Sequence, residues 1–150
     1  LDAFRAGAAP EGRTRYDDVR LIGSGAYSVV ARATDNKTGT PVAIKRIAEV
    51  LYDAQEAKKV LREIRLLRDF QHVNVISLLA LIPPASMETF DDIFMVTDFM
   101  ESDLRRIIKS RQPIESARVR SYMAQLLAGL NHVHCHAGLH RDLKPANILV

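Results

Sequence analysis

Residues 19–47, "VRLIGSGAYSVVARATDNKTGTPVAIKRI", hold three apolar, β-branched runs separated by two turn signals. The first turn is a Gly-Ser-Gly loop and the second is Asn-Lys-Thr-Gly-Thr. Runs of this kind, bounded by glycine and asparagine, read as strands. The chain therefore opens on strands joined by a glycine loop and a turn.

The period then changes. Residues 54–70 read as a helix, with Val60, Ile64 and Leu67 at helical spacing and Leu61 widening the stripe. Asp53, followed three residues later by Glu56, reads as its N-cap and capping partner. "VISLLALI" (75–82) and "DDIFMVTDFM" (91–100) read as two further strands. "PPASMETF" between them is a loop, since Pro83 and Pro84 cannot continue a ladder. Ser102 is expected to cap a short helix over 103–110. Residues 116–136 make the strongest helical pattern, with Val119, Met123, Leu126, Leu130 and Val133 on one face, and Ala137-Gly138 is expected to end it. Five strands and one helix thus precede a mostly helical part, with the change near 98–102. Two lobes joined by a short connector are a common setting for a ligand cleft.

Bulk properties narrow the class. The 150 residues are enough for one domain with a core, and 47% hydrophobic with 26% charged residues is ordinary for a globular chain. No apolar run reaches about 18 residues, and "LDAFRAGAAPEGRTR" has no signal core. No membrane association is expected. The net charge of +3 is dispersed rather than blocked, so no nucleic-acid footprint is expected either. The single cysteine, Cys135, cannot form an internal disulfide, which suits a reducing intracellular setting. The chain begins with Leu rather than Met, and is expected to start inside a longer reading frame.

Three stretches carry chemistry. "GSGAYSVV" places Gly23 and Gly25 where a backbone can approach a phosphate without a Cβ in the way. A dinucleotide-binding loop should open a helix, whereas "SVVARATD" continues as strand. The P-loop pattern G-x-x-x-x-G-K-[ST] is absent. What fits is a glycine hairpin of the form G-x-G-x-x-G-x-V, with Val30 in the Val position and Ser28 in place of the third Gly. "VAIK" puts Lys45 on the same strand face as Ala43, inside an otherwise apolar strand. An ammonium there needs an anion. The candidates are a nucleotide phosphate, Glu63 near the packed face of the following helix, and Glu56, whose place in the first turn is already explained by capping. The third stretch, His140-Arg141-Asp142-Leu143-Lys144-Pro145-Ala146-Asn147, matches H-R-D-L-x-x-x-N at every fixed position.

Taken together, residues 15–150 resemble the N-terminal half of a protein kinase of the MAP-kinase family. The carrying stretches are "IGSGAYSVV", "VAIKRI", "LREIRLLRDFQHVNVISL", "MVTDFMESDL", "QLLAGLNHVH" and "LHRDLKPANILV". "AQEAKKVLREIRLL" does not match the cyclin-binding helix of the nearest rivals, the cyclin-dependent kinases. The resemblance implies an α+β, protein-kinase-like fold: a five-stranded antiparallel N-lobe with one helix, plus the start of a helical C-lobe. Residues 1–13 would be a flexible lead-in, 14–98 the N-lobe, and 99–150 the hinge and an incomplete C-lobe.

The same resemblance implies the roles. Asp142 would accept the substrate hydroxyl proton, Lys144 would reach the transferring phosphoryl oxygens, and Lys45 with Glu63 would complete the catalytic set. Asn147 would hold Mg²⁺ through its amide oxygen. ATP would lie against Ile22, Gly23, Ser24, Gly25, Ala26, Tyr27, Ser28, Val29, Val30, Ala43, Lys45, Thr97, Asp98, Met100, Asp103 and Leu149. Within that set, Thr97 would be a small gatekeeper, Asp98 and Met100 the adenine-binding hinge, and Asp103 a neighbour of the ribose. Leu67 and His140 would join a hydrophobic spine. Arg62 and Arg141 would hold an activating phosphate, with a solvated helix arginine as the other reading of Arg62. The implied activity is transfer of the ATP γ-phosphate to Ser/Thr-Pro sites of protein substrates, under an upstream MAP kinase kinase, in cytoplasm and nucleus. The alternatives are a truncated non-catalytic nucleotide- or partner-binding module and a cyclin-dependent-type kinase.

His132, His134, His136 and His140 invite a metal reading. No acidic or Cys cluster with ligand spacing joins them, and histidines near a helix C-terminus are favoured by its dipole. Cys135 reads as an ordinary helix-end residue. No D-F-G occurs within the 150 residues, and no T-x-Y follows the catalytic-loop stretch within them. The 150-residue chain by itself is therefore expected to transfer no phosphate. A radiolabel transfer assay on the purified chain checks this, and Asp142-dependent turnover would overturn it.

Overall fold

The computed structural model describes residues 15–25, 27–84, 86–88, 90–136 and 138–150. The expected lead-in over 1–13 lies outside the described residues, as do Ala26 of the glycine loop and Ala137 of the expected helix end.

Five strands form one antiparallel sheet: β1 (Tyr16–Ser24), β2 (Ser28–Asp35), β3 (Thr40–Ile47), β4 (Leu78–Ile82) and β5 (Ile93–Asp98), in the order β1-β2-β3-β5-β4. The β2–β3 turn is built by Asp35. Its carbonyl accepts from the amides of Thr38 (3.2 Å) and Gly39 (2.8 Å), and its carboxylate accepts from the Lys37 amide (2.9 Å) and from Arg15 (3.1 Å). Gly39 adopts φ +71°, a conformation only glycine enters without cost, so this turn selects it. Asp35 is buried, and burial pushes its carboxyl up. Arg15 and the Lys37 amide outweigh that and hold it below its ordinary value.

Strand alternation produces two faces. Tyr16, Ala31, Ala33, Val42, Ile44, Ile82 and Val96 are buried together as the core on one face. Residues opposite one another in an antiparallel pair point to the same side. The register pairs Lys45 with Val30 and Met95, and Ala43 with Thr97, so these five residues share the other face. β3 lies between β2 and β5, which makes Lys45 a residue of an interior strand.

The helix α1 (Ala54–Asp69) begins as expected, with the Asp53 carboxylate accepting from the Gln55 amide at 2.7 Å and its carbonyl from Ala57 at 2.9 Å. Glu56 does not complete a capping box; it pairs with Lys59 at 2.5 Å. Val60 is buried and Ile64 and Leu67 are half-buried, but Leu61 is exposed, so the buried stripe is narrower than its pattern implies. The strand expected over 75–82 starts only at Leu78. Val75 instead donates to the His72 carbonyl at 2.9 Å in a turn, which removes its amide from any ladder.

The chain divides into two compact units: the part up to Asp69 with Ser77–Phe99, and Phe70–Ile76 with Met100–Val150. A single cut near 98 therefore omits the 70–76 segment, which belongs with the helical unit. That unit contains α2 (Leu104–Lys109), α3 (Ser116–Cys135) and a 3₁₀ turn at Pro145–Asn147. The cap of α2 is Asp103, whose carboxylate accepts from the Arg106 amide at 2.9 Å, and not Ser102 as its sequence position suggests. A carboxylate at this position also meets the positive end of the helix dipole. α3 ends where Gly138 donates to the Val133 carbonyl at 2.9 Å. Its stripe is only partly covered: Val133 is buried, Leu126 and Leu130 are half-buried, and Val119 and Met123 are exposed. Among the described residues no helix is long and apolar enough to cross a membrane.

Gly129 shows why the 70–76 segment sits on α3. A Cβ at Gly129 would lie 2.7 Å from the Asn74 carbonyl oxygen, so only glycine admits this close approach. Gly129→Ala is expected to destabilise the helical unit by about 1–3 kcal/mol. Gly23→Ala, where an added Cβ meets nothing within 4 Å, should change stability by less than about 0.5 kcal/mol. Urea unfolding of the two variants checks the contrast.

Candidate active site

The sheet unit carries the glycine loop. β1 and β2 pair up to Ser24–Val29, and the Gly25 amide donates to the Ser28 carbonyl at 2.7 Å to close the hairpin. Strand continues on both sides, as the pattern requires. Gly23 opposes Val30 in the register, and neither neighbouring atoms nor a positive φ demands glycine there. Ser28 touches Gly25: its hydroxyl would lie 3.2 Å from a Cβ built on Gly25. Ile22 and Tyr27 are exposed, and Val29 and Val30 half-buried.

Of the two carboxylates open to Lys45, the fold selects Glu63. The ammonium donates to both carboxylate oxygens, at 2.8 and 3.1 Å. Both side chains keep over a third of their exposure, 34% and 39%. Water therefore screens the pair, and its contribution to stability is about 1 kcal/mol or less. Its significance is positional: a flexible four-carbon side chain is held on the sheet face shared with Val30, Ala43 and Thr97. Thr97 is half-buried on that face, and Asp98 ends β5 with its carboxylate accepting from the Ser77 amide at 3.4 Å. On α1, Leu67 is half-buried, whereas Arg62, whose sequence position allowed either a phosphate contact or a solvated face, is exposed.

The helical unit carries the rest. The 3₁₀ turn at Pro145–Asn147 folds Asn147 back onto Asp142. The Asn147 amide nitrogen donates to the Asp142 carboxylate and carbonyl, each at 2.9 Å, while Lys144 donates to the same carboxylate at 2.8 Å. Proline suits the first position of such a turn because its missing amide would have had no partner. Arg141 sits at φ +60°, a left-handed conformation costly for a non-glycine residue, and the next amide, of Asp142, donates to His140 Nδ1 at 3.4 Å. Local spacing predicts the residue types, but not these mutual contacts.

The end of this loop is tied down by backbone. Ser102 and Val150 exchange hydrogen bonds (3.2 and 3.0 Å), and Leu104 donates to the Ile148 carbonyl at 2.8 Å. Asp103 and Leu149, both expected near the nucleotide, are thereby bridge partners. The Asp103 carboxylate is already engaged by the α2 N-terminus and lies 3.6 Å from Arg106. Met100 and Leu149 are exposed in this unit.

The sequence is similar to those of known proteins. Residues 16–150 match the protein kinase domain. The chain belongs to the protein kinase family. It is 46% identical over 136 residues to extracellular signal-regulated kinase 1 of Dictyostelium discoideum, covering 91% of this chain and 26% of that protein. It is 45% identical over 132 residues to mitogen-activated protein kinase 4 of Arabidopsis thaliana, covering 88% of this chain and 35% of the relative. Mitogen-activated protein kinase 4a of Physcomitrium patens is 40% identical over 146 residues, 97% of this chain and 39% of that protein. The chain thus spans about a quarter to two-fifths of the length of these MAP kinases. Protein kinases as a family use ATP and Mg²⁺.

The kinase-type loop makes a titration prediction. Hydrogen bonds from Lys144 and then Asn147 stabilise the charged form of Asp142 and hold its carboxyl below the ordinary aspartate value. Loss of a donor removes that stabilisation, so Lys144→Met is expected to move the Asp142 midpoint upward. Carboxyl-carbon NMR titration of wild type and variant checks it, and an unmoved midpoint would contradict the assignment.

Proposed function

We propose that this chain is the nucleotide-binding and catalytic-loop portion of an ATP-dependent serine/threonine kinase of MAP-kinase type. The observation that carries the reading is the Lys45–Glu63 ion pair, 2.8 Å on an interior strand, on the same face as Val30, Ala43 and Thr97. A lysine held by one carboxylate still presents donors and charge to a second anion, and the open space over Gly23 suits a phosphate. In this reading Ile22, Val30, Ala43 and Leu149 face the base. Thr97, Asp98 and Met100 supply the connector edge, and residues Gly23–Val30 cover the phosphates.

The catalytic loop's own chemistry rests on its hydrogen bonds. Asp142 is kept ionised by Lys144 and Asn147, so at neutral pH it has an acceptor oxygen for the hydroxyl proton of a Ser or Thr substrate. Lys144 brings positive charge to where phosphoryl oxygens accumulate negative charge. The Asn147 amide is oriented with its nitrogen on Asp142, which leaves its oxygen for a hard cation, and a neutral oxygen donor fits Mg²⁺. Bound Mg²⁺ would supply neutralisation of phosphate charge. The protein substrates would carry Ser/Thr-Pro sites, and an upstream kinase would act on the whole protein.

The test uses the full-length protein that contains this chain. Lys45→Met and Asp142→Asn are each expected to lower kcat/KM for phosphorylation of a Ser-Pro peptide by about 10²-fold or more. Near-normal turnover by either variant would remove the site assignment.

A further inference from the structure

Three histidines unused by the catalytic reading stack together in the helical unit. His72 stacks on His132 with ring centroids 5.0 Å apart, and His132 meets His136 at a tilt of 42° with centroids 4.3 Å apart. Phe70 meets both His132 and His136 edge-on at 6.3 Å. The stack joins the 70–76 segment to the last turns of α3. Nothing in the sequence pattern indicates it, because His72 is far from His132 along the chain and the helix dipole already accounts for the α3 histidines.

The protonation state of this stack is constrained by geometry. His72 Nδ1 accepts from the Asn74 amide at 3.0 Å, which ties the His72 ring to the 70–76 backbone. His136 Nδ1 donates to the His132 carbonyl at 2.8 Å. His132 Nε2 is buried with no hydrogen-bond partner among the described residues. The titratable groups facing His132 are His72 from the 70–76 segment and His136 from its own helix. Phe70, which meets His132 and His136 edge-on, offers no charge. A proton on His132 would therefore place a cation between two imidazoles with no carboxylate to balance it.

We propose that His132, set between His72 and His136, is an acid-released latch: its neutral ring holds the 70–76 segment on α3, and its protonation frees the segment. Burial first, then His136 and His72, hold the His132 imidazole below its ordinary value. A histidine lowered in the folded state stabilises fully above the unfolded value, about 6.5, and that contribution is lost as pH falls below it. The segment matters because it follows α1, which carries Glu63, and because its Asn74 carbonyl is the surface against which Gly129 packs. The latch stands independently of the kinase reading, since none of its residues belongs to the candidate active site.

Amide hydrogen exchange on the 150-residue chain tests it. After correction for intrinsic exchange, the Asn74 and Val75 amides are expected to lose about tenfold protection between about pH 7.5 and about pH 5.5. The amides of the β2–β3 ladder should not change. His132→Phe keeps a ring and removes the titration, so it should abolish the response. His134→Gln, at an exposed histidine outside the stack, should leave it intact. Should His132→Phe fail to fold, histidine NMR titration of the wild type decides, with His132 expected to titrate below the ordinary value. Equal protection at both pH values, a response that survives in His132→Phe, a response lost in His134→Gln, or ordinary titration of His132 would each overturn the proposal.

Discussion

An ammonium on an interior strand is the constraint around which the sheet unit is organised. Lys45 is flanked in register by Val30 and Met95, and its strand has a neighbour on either side. The alternation that buries Val42 and Ile44 on one face necessarily presents Ala43 and Lys45 on the other. The cost of leaving that charge unpaired is met by Glu63 from α1. The pair adds little to stability, because both groups remain wetted. It converts a mobile side chain into a positioned one, and it defines which face of α1 approaches the sheet.

The catalytic loop meets its constraint by another route. Its one regular element among the described residues is a 3₁₀ turn, so side chains take over the role of a scaffold. Asp142 collects Lys144 and Asn147, the left-handed Arg141 turns the chain, and the backbone bonds of Ser102 and Leu104 anchor residues 148–150. Exposed charged contacts of this kind hold geometry more than they hold the fold. A strained residue among them is consistent with a segment shaped for chemistry.

Local pattern is a good guide to the strands and helices, since turn chemistry and apolar period are properties of adjacent residues. It is a poorer guide to anything set by residues far apart. Leu61 fits the helical stripe, but the fold leaves it exposed. Ser102 has the right residue type for a cap, yet the turn of backbone gives that position to Asp103, whose side chain reaches the Arg106 amide. Val75 belongs to an apolar run, yet the His72 carbonyl claims its amide. For the site, the identities of Lys45, Asp142, Lys144 and Asn147 are legible because the motif spacing is short. Glu63 is legible only as one of several anions.

Sequence pattern was enough to mark out the strands, the helical spans and the residue types offered for phosphoryl transfer. Each of these depends on turns and periodicities that span a few residues. Tertiary structure alone decided that Glu63 neutralises Lys45, that Asn147 closes on Asp142, that residues 70–76 join the helical unit, and that His72 stacks on His132. Those pairings depend on register and on close backbone approach, such as that of Asn74 to Gly129, which no local pattern encodes.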